Sequence, residues 1–165
     1  MAETATLRSL TPRARFVLRC DPAALPAVGE AFGVLPPAQP LRSAVQGARA
    51  ALWLGPDEWL LLAEEDAAAP AIAAPHALVE VSHRQLAFAV EGPGAALLLN
   101  EGCPLDLDTA AFPPGACTRT LFGKVEILLW RRAADAFEVE AARSFAAPLL
   151  ALLREALADL DPIPG

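Results

Sequence analysis

Residues 117–160 read CTRTLFGKVEILLWRRAADAFEVEAARSFAAPLLALLREALADL. Three runs in this stretch, at residues 117–122, 125–130 and 137–141, are rich in β-branched and aromatic side chains. Gly123-Lys124 and residues 133–135 separate them as short turns, which is the signature of antiparallel hairpins. The period then changes. Leu149, Leu150, Leu153, Leu157 and Leu160 recur at helical spacing, with Arg154, Glu155 and Asp159 between them. Pro148 has no amide hydrogen and is expected only near the first turn of that helix.

Moving outward, residues 77–82 and 86–91 read as two further strands. Gly92-Pro93 then opens a helix that runs to Asn100 and is closed by Gly102. The first half of the chain follows the same plan. Residues 15–20 (RFVLRC) alternate as a strand, Asp21-Pro22 starts a helix with an apolar stripe of Leu25, Val28 and Phe32, and Gly33 stops it. Pro36, Pro37 and Pro40 mark a loop. Residues 50–54 and 58–63 flank Gly55-Pro56-Asp57 as a hairpin, and the alanine-rich residues 65–73 are read as a short helix despite Pro70. Residues 1–13 read as a frayed arm. The strand–Pro–helix–Gly design of RCDPAALPAVGEAFG (residues 19–33) returns in VEGPGAALLLNEG (residues 90–102). The expected fold class is therefore α+β, with two similar antiparallel-sheet-plus-helix halves at residues 1–76 and 77–165, a hinge near residues 74–81, and the two halves forming one compact unit.

Composition bounds the function classes. With 55% hydrophobic residues the chain can bury a core. Thirteen Lys and Arg against twenty Asp and Glu give a net charge of -7, and only Arg131 and Arg132 are adjacent cations. Nucleic-acid binding needs clustered cations to displace phosphate counterions, so that class is excluded. No apolar run has the length needed to span a bilayer, and residues 1–10 do not read as a secretory signal. Cys20, Cys103 and Cys117 are odd in number and have no paired Cys-x-x-Cys spacing, which argues against a zinc site and fits a reducing cytoplasm.

Few polar residues suggest chemistry. Ser82-His83-Arg84 carries a nucleophile and a base, but adjacent residues on a strand point to opposite faces, so the pair cannot readily hydrogen-bond. His76, with His83 and Glu80, makes a poor metal set. Gly92-Pro93-Gly94-Ala95-Ala96-Leu97 follows a strand as a dinucleotide fingerprint does, but Leu97 occupies the third small-residue position and hairpins follow, so a helix start is the better reading. Phe122-Gly123-Lys124 lacks the upstream glycine and the Ser or Thr of a phosphate loop. Trp53, Trp59 and Trp130 lie on strands and are read as core or interface residues, with stacking on a flat cofactor as the alternative. No catalytic residue and no metal ligand is assigned.

Residues 79–153, and within them Val81-Ser82-His83-Arg84, Gly102-Cys103-Pro104-Leu105-Asp106-Leu107, Cys117-Thr118-Arg119-Thr120 and Gly123-Lys124, resemble the gamma subunit family of heterotetrameric sarcosine oxidase. LWLGPDEWLLLA (residues 52–63) is similar to that family too. The resemblance implies the fold of the folate-binding aminomethyltransferases, among them the glycine-cleavage T-protein. It implies a complex that oxidises sarcosine to glycine with release of hydrogen peroxide and passes the one-carbon unit to tetrahydrofolate. FAD, FMN, NAD and tetrahydrofolate are then expected on the partner alpha and beta subunits and zinc on delta, with this chain carrying no cofactor and packing against alpha. Interface candidates are Ser82, His83, Arg84, Arg119 and Arg143. The alternative is a folate-binding module, for which kinship with folate binders points to Glu126, although the Asn–Gly-rich turn and paired aspartates expected nearby are missing.

Overall fold

A computed structural model of the chain describes residues 4–160, which divide into two units: residues 12–83, and residues 84–160 together with residues 4–11. Each unit is built on one five-stranded antiparallel sheet.

The unit of residues 12–83 contains strands β2 (Ala14–Cys20), β3 (Ser43–Gln46), β4 (Arg49–Gly55), β5 (Glu58–Ala63) and β6 (His76–Glu80), in sheet order β3-β4-β5-β2-β6. The expected hairpin forms with Trp53 opposite Trp59. Asp21 caps a short 3-10 turn, its Oδ1 accepting from the Ala23 amide at 2.8 Å, and helix α1 (Leu25–Phe32) follows directly. Gly33 ends it at φ 86°, a left-handed cap that glycine adopts without strain. The stripe of Leu25, Val28 and Phe32 covers Phe16, Leu18, Trp59 and Leu61, the residues that alternation along β2 and β5 turns to that side. Burial of each such large side chain stabilises by about 1.5–3 kcal/mol.

The other unit contains β1 (Thr6–Ser9), β7 (Gln85–Glu91), α2 (Ala95–Asn100), β8 (Cys117–Phe122), β9 (Val125–Ala133), β10 (Ala136–Ala142) and α3 (Arg143–Leu160), in sheet order β1-β7-β10-β9-β8. Val125, Ile127 and Leu129 of β9 and Phe137 and Val139 of β10 share one face. They pack there with Leu98 and Leu99 of α2 and Leu149 and Leu153 of α3.

Read from opposite ends, the two sheet orders are the same. β3, β4, β5 and β2 correspond to β8, β9, β10 and β7, and each sheet is completed by one outer strand, β6 or β1. The outer strands are exchanged. β1 precedes the first half in the chain yet pairs with β7, Thr6 opposite Glu91, whereas β6 precedes the second half yet pairs with β2, Phe16 opposite Glu80.

This exchange moves the expected division. The sequence placed it between residues 76 and 77, but β6 belongs to the first sheet, so the boundary falls between His83 and Arg84. The supposed hinge at residues 74–81 is mostly that strand. The expected frayed arm holds β1; its residues 1–3 lie outside the described residues. Residues 65–73 form no helix: after a turn closed by Ala67 N–H on the Glu64 carbonyl the chain runs irregularly past Pro70 and Pro75. α3 begins five residues before Pro148, which therefore lies inside the helix rather than at its start. Lacking an amide hydrogen, Pro148 makes no helical hydrogen bond to the carbonyl of the exposed Ser144.

Candidate functional site

Ser82, His83 and Arg84 form a 3-10 turn, not a strand end. The Ser82 hydroxyl accepts the Arg15 amide hydrogen at 2.9 Å and donates to Glu80 Oε1 at 3.0 Å. The Arg15 guanidinium, 3% exposed, donates to the carbonyls of Arg13 at 3.3 Å and Ser82 at 3.4 Å. The serine thus joins β2 to the end of β6 through its polar contacts. His83 and Arg84 are exposed.

A second polar centre was not anticipated. Arg131 on β9 is 3% exposed, and a buried cation is costly unless its donors are met. Its Nη1 donates to the carbonyls of Leu107 (2.9 Å) and Phe112 (2.7 Å), its Nη2 to Thr109 Oγ1 (3.2 Å), and its Nε to the Ala134 carbonyl (3.1 Å). The guanidinium lies 4.8 Å from the centroid of the Phe137 ring. One side chain therefore fixes the course of residues 103–116, whose end is also held by Gly115 and Ala116 pairing with the Arg131 backbone. Sequence reading saw Arg131 only as half of an arginine doublet. Its partners are two backbone carbonyls and a hydroxyl of a distant loop and the carbonyl of nearby Ala134, and no side-chain pattern announces them.

The sheet face opposite α2 and α3 carries two more candidates. Arg119 on β8 lies opposite Leu128 and Glu126 on β9 opposite Leu121, so Arg119 and Glu126 share one exposed face. Further across that face is a groove of about 390 Å³, lined by Arg8, Leu10, Glu91, Arg132, Phe137 and Glu138 among others. Its charges are internally compensated: Arg8 pairs with Glu91 at 3.3 Å, and Arg132 pairs with Glu138 while stacking 4.4 Å from the Trp130 ring centroid. Glu126 is not among its walls. Arg143 is exposed at the first residue of α3; it follows Ala142, which pairs with Gln85, so its chain position neighbours that of Arg84.

The remaining motifs serve the fold. Gly92, at φ 122°, lies beneath the Thr4 carbonyl, where a Cβ would approach to 2.6 Å, and the same carbonyl accepts the Gly94 amide at 2.9 Å. The turn that resembled a dinucleotide fingerprint therefore holds the chain's own first strand. Gly123 turns β8 into β9 at φ 60°. Trp59 is fully buried and donates from Nε1 to the Pro37 carbonyl at 2.8 Å, Trp130 is buried, and Trp53 is half-buried. His76 is exposed with Nδ1 2.7 Å from the Ala74 carbonyl. Among the described residues no three His, Cys, Asp or Glu side chains are grouped to hold a metal, and no helix is long and apolar enough to cross a membrane. Burial, with Asp21 and Asp57 nearby, pushes the Cys20 thiol above its usual pKa. Glu64 is held below the usual carboxylate range by a backbone hydrogen bond and by Arg49.

Comparison with known proteins identifies relatives for the whole of this architecture. Residues 18–159 match the family model described as sarcosine oxidase, gamma subunit family. The sarcosine oxidase subunit gamma of Corynebacterium sp. (strain P-1) is 31% identical, over 99% of this chain and 85% of that one. Its counterpart from Corynebacterium sp. (strain U-96) is 31% identical over 68% of this chain and 58% of its own. Among solved structures, a chain of the heterotetrameric sarcosine oxidase from Corynebacterium sp. U-96, in complex with pyrrole 2-carboxylate, superposes with a TM-score of 0.88 at 29% identity, covering 99% of this chain and 91% of that one. The glycine cleavage system aminomethyltransferase T from Bartonella henselae superposes at 0.66 and 14% identity, over 92% of this chain and 45% of that one, and shares the fold.

Proposed function

The chain belongs to the sarcosine oxidase gamma subunit family, and we propose that it is the non-catalytic gamma subunit of a heterotetrameric complex that oxidises sarcosine or a related N-methyl amine. The observation that carries this reading is the end-to-end likeness, in sequence and in structure, to a chain of such a heterotetramer. Two polar side chains of the structure are engaged in holding backbone. Ser82 serves the Arg15 amide and Arg131 serves a loop, which suits a scaffold.

In this reading the alpha subunit is the direct neighbour, with beta and delta completing the assembly in the cytoplasm. The amine is oxidised to glycine on a flavin of a partner, with hydrogen peroxide as co-product, and the one-carbon unit passes to tetrahydrofolate there. FAD, FMN, NAD and folate are held by partner subunits, because hydride and one-carbon chemistry belong to cofactors. This chain contributes buried surface and shape; obligate interfaces of this kind commonly exceed about 2,000 Å².

Co-expression with the flavin-bearing subunits tests the proposal. The expected result is a stable complex containing this chain, with sarcosine-dependent peroxide release that falls when the chain is omitted. A complex that forms and turns over equally well without it overturns the assignment.

A further inference from the structure

Open edges of sheets invite pairing with other chains. Among the described residues β6, with the sequence His-Ala-Leu-Val-Glu, ends the sheet of the first unit and pairs on one side only, with β2. Its residues are exposed except for the partly buried Leu78, and Val79 is 51% exposed.

Hydrogen bonds around β2 fix which way β6 faces. The Cys20 amide reaches the Asp57 carbonyl at 3.1 Å on the β5 side, so Phe16, Leu18 and Cys20 direct their backbone groups toward β5, and Arg15, Val17 and Arg19 toward β6. The Val81 amide, 2.8 Å from the Arg15 carbonyl, agrees. Val17 lies opposite Val79 and Arg19 opposite Ala77, so Ala77 and Val79 are the residues that bond β2. His76, Leu78 and Glu80 therefore direct their N–H and C=O groups out of the sheet.

The strand is matched to itself. A second β6 laid antiparallel about a two-fold axis through Leu78 sets Leu78 opposite its own copy and His76 opposite Glu80 at both ends. His76, Leu78 and Glu80 then each exchange both backbone hydrogen bonds with a counterpart. Moving the axis to Ala77 or Val79 leaves Glu80 or His76 without a counterpart on the strand. At the closer positions between these pairs, the exposed Val79 meets the small Ala77. The end pairs join an imidazole to a carboxylate, whereas like charges directly opposite destabilise a sheet. Among the described residues neither side chain meets an opposite charge. Glu80 Oε1 accepts from the neutral Ser82 hydroxyl at 3.0 Å, and His76 Nδ1 lies 2.7 Å from the Ala74 carbonyl. A carboxylate across the join favours the imidazolium form, in which Nε2 donates to it. The other edges lack this match: β1 and β8 each carry one arginine and no carboxylate, and β3 carries no ionisable side chain.

We infer that β6 pairs with β6 of a second copy of this chain, joining two sheets of the first unit into one continuous sheet across a two-fold axis. The same patch serves both copies, as a closed two-fold interface requires. The inference concerns the chain by itself and does not depend on the subunit reading.

The test follows the lone full chain by sedimentation equilibrium and by amide hydrogen exchange over a range of concentrations. A joined edge of this length is smaller than the standard interface of about 1,600 Å², so a weak dimer with a Kd of about 100 μM is expected. The amides of His76, Leu78 and Glu80 are expected to exchange several-fold more slowly at about 1 mM than at about 1 μM, while those of Ala77 and Val79, already bonded to β2, change little. His76→Glu sets two carboxylates opposite each other at both ends. It is expected to weaken the dimer at least about tenfold with an unchanged melting temperature, since His76 is exposed. Adding Glu80→Lys to that variant returns opposite signs to each pair and is expected to restore the dimer. A chain that stays monomeric up to about 1 mM overturns the inference. So does a dimer that leaves the amides of His76, Leu78 and Glu80 unprotected, one that His76→Glu does not weaken, or a folded double variant that fails to regain it.

Discussion

Replacing Arg131 by alanine removes the charged side-chain donor that bonds Leu107, Thr109 and Phe112 within residues 103–116. The carbonyls of Leu107 and Phe112, bonded at 2.9 and 2.7 Å, lose their charged donor, as does the Thr109 hydroxyl. Hydrogen bonds to a charged group contribute about 1.5–3 kcal/mol each, and a carbonyl left buried without a partner costs about 1–3 kcal/mol. Loss of the guanidinium from the Phe137 face adds about 0.5–2 kcal/mol. The loop recovers part of this by opening its carbonyls to water, so the expected net loss is about 3–5 kcal/mol. For a chain of this length that lowers the melting temperature by roughly 10 °C, taking about 2–4 °C per kcal/mol. Urea unfolding followed by tryptophan fluorescence measures the loss directly. Arg131→Lys keeps the charge but not the planar fork, and it is expected to fall between alanine and wild type. Arg8→Ala is the control, because its ion pair with Glu91 is exposed on both sides and such pairs contribute about 0–1 kcal/mol. If Arg131→Ala costs no more than Arg8→Ala, the buried guanidinium does not organise the loop and the reasoning fails.

Gly92→Ala forces a methyl group against the Thr4 carbonyl in a left-handed backbone, so β1 is expected to detach. The check is faster amide exchange at residues 6–9 with a loss of about 1–3 kcal/mol. Ser82→Ala leaves the Arg15 amide without its acceptor and is expected to cost about 1–2 kcal/mol in urea unfolding, with no change in turnover of the assembled complex if the hydroxyl is purely structural. Cys20 has a raised folded pKa, so any stability linked to it is complete below the thiol's unfolded pKa and is lost as pH rises through the higher folded value. Stability is expected to decline on the alkaline side, less so in Cys20→Ala, and native Cys20 should react with iodoacetamide far more slowly than in urea.

Local periodicity made the hairpins legible. RFVLRC alternates, the runs around Gly55-Pro56-Asp57 and Gly123-Lys124 are apolar strands punctuated by turn residues, and the structure pairs them as hairpins or neighbours. Errors arose where a short segment depends on a distant partner. β1 is the four-residue TLRS, and its pairing with β7 joins residues far apart in the chain. β3 is equally short and follows three prolines. The helix expected at residues 65–73 rested on alanine propensity, a weak term that Pro70 and the absence of a packed apolar stripe outweigh. The repeat itself was visible because each half builds its own hairpin and helix locally. The exchange of outer strands was not, because it reverses the assignment that proximity along the chain suggests.

The residues that carried the family resemblance acquire a common physical meaning in the structure. In the second unit, Gly102 lies against the Phe122 ring, where a Cβ would come within 2.9 Å, and its carbonyl accepts the Gly123 amide at 2.8 Å. Cys103 Sγ lies 3.9 Å from Thr120 Oγ1, and the Leu107 carbonyl ends on Arg131. Three sequence pieces around residues 102–107, 117–120 and 123–124 therefore meet at one junction between a loop and the β8–β9 hairpin. In the first unit, Val81 and Ser82 bond the backbone of Arg15. A nucleophile or base must keep a lone pair or a proton available to substrate, and the Ser82 hydroxyl accepts from the Arg15 amide and gives its proton to Glu80. Residues selected for shape in this way are what a chain needs when its product is a surface presented to other subunits, and that is the physical content of the scaffold reading.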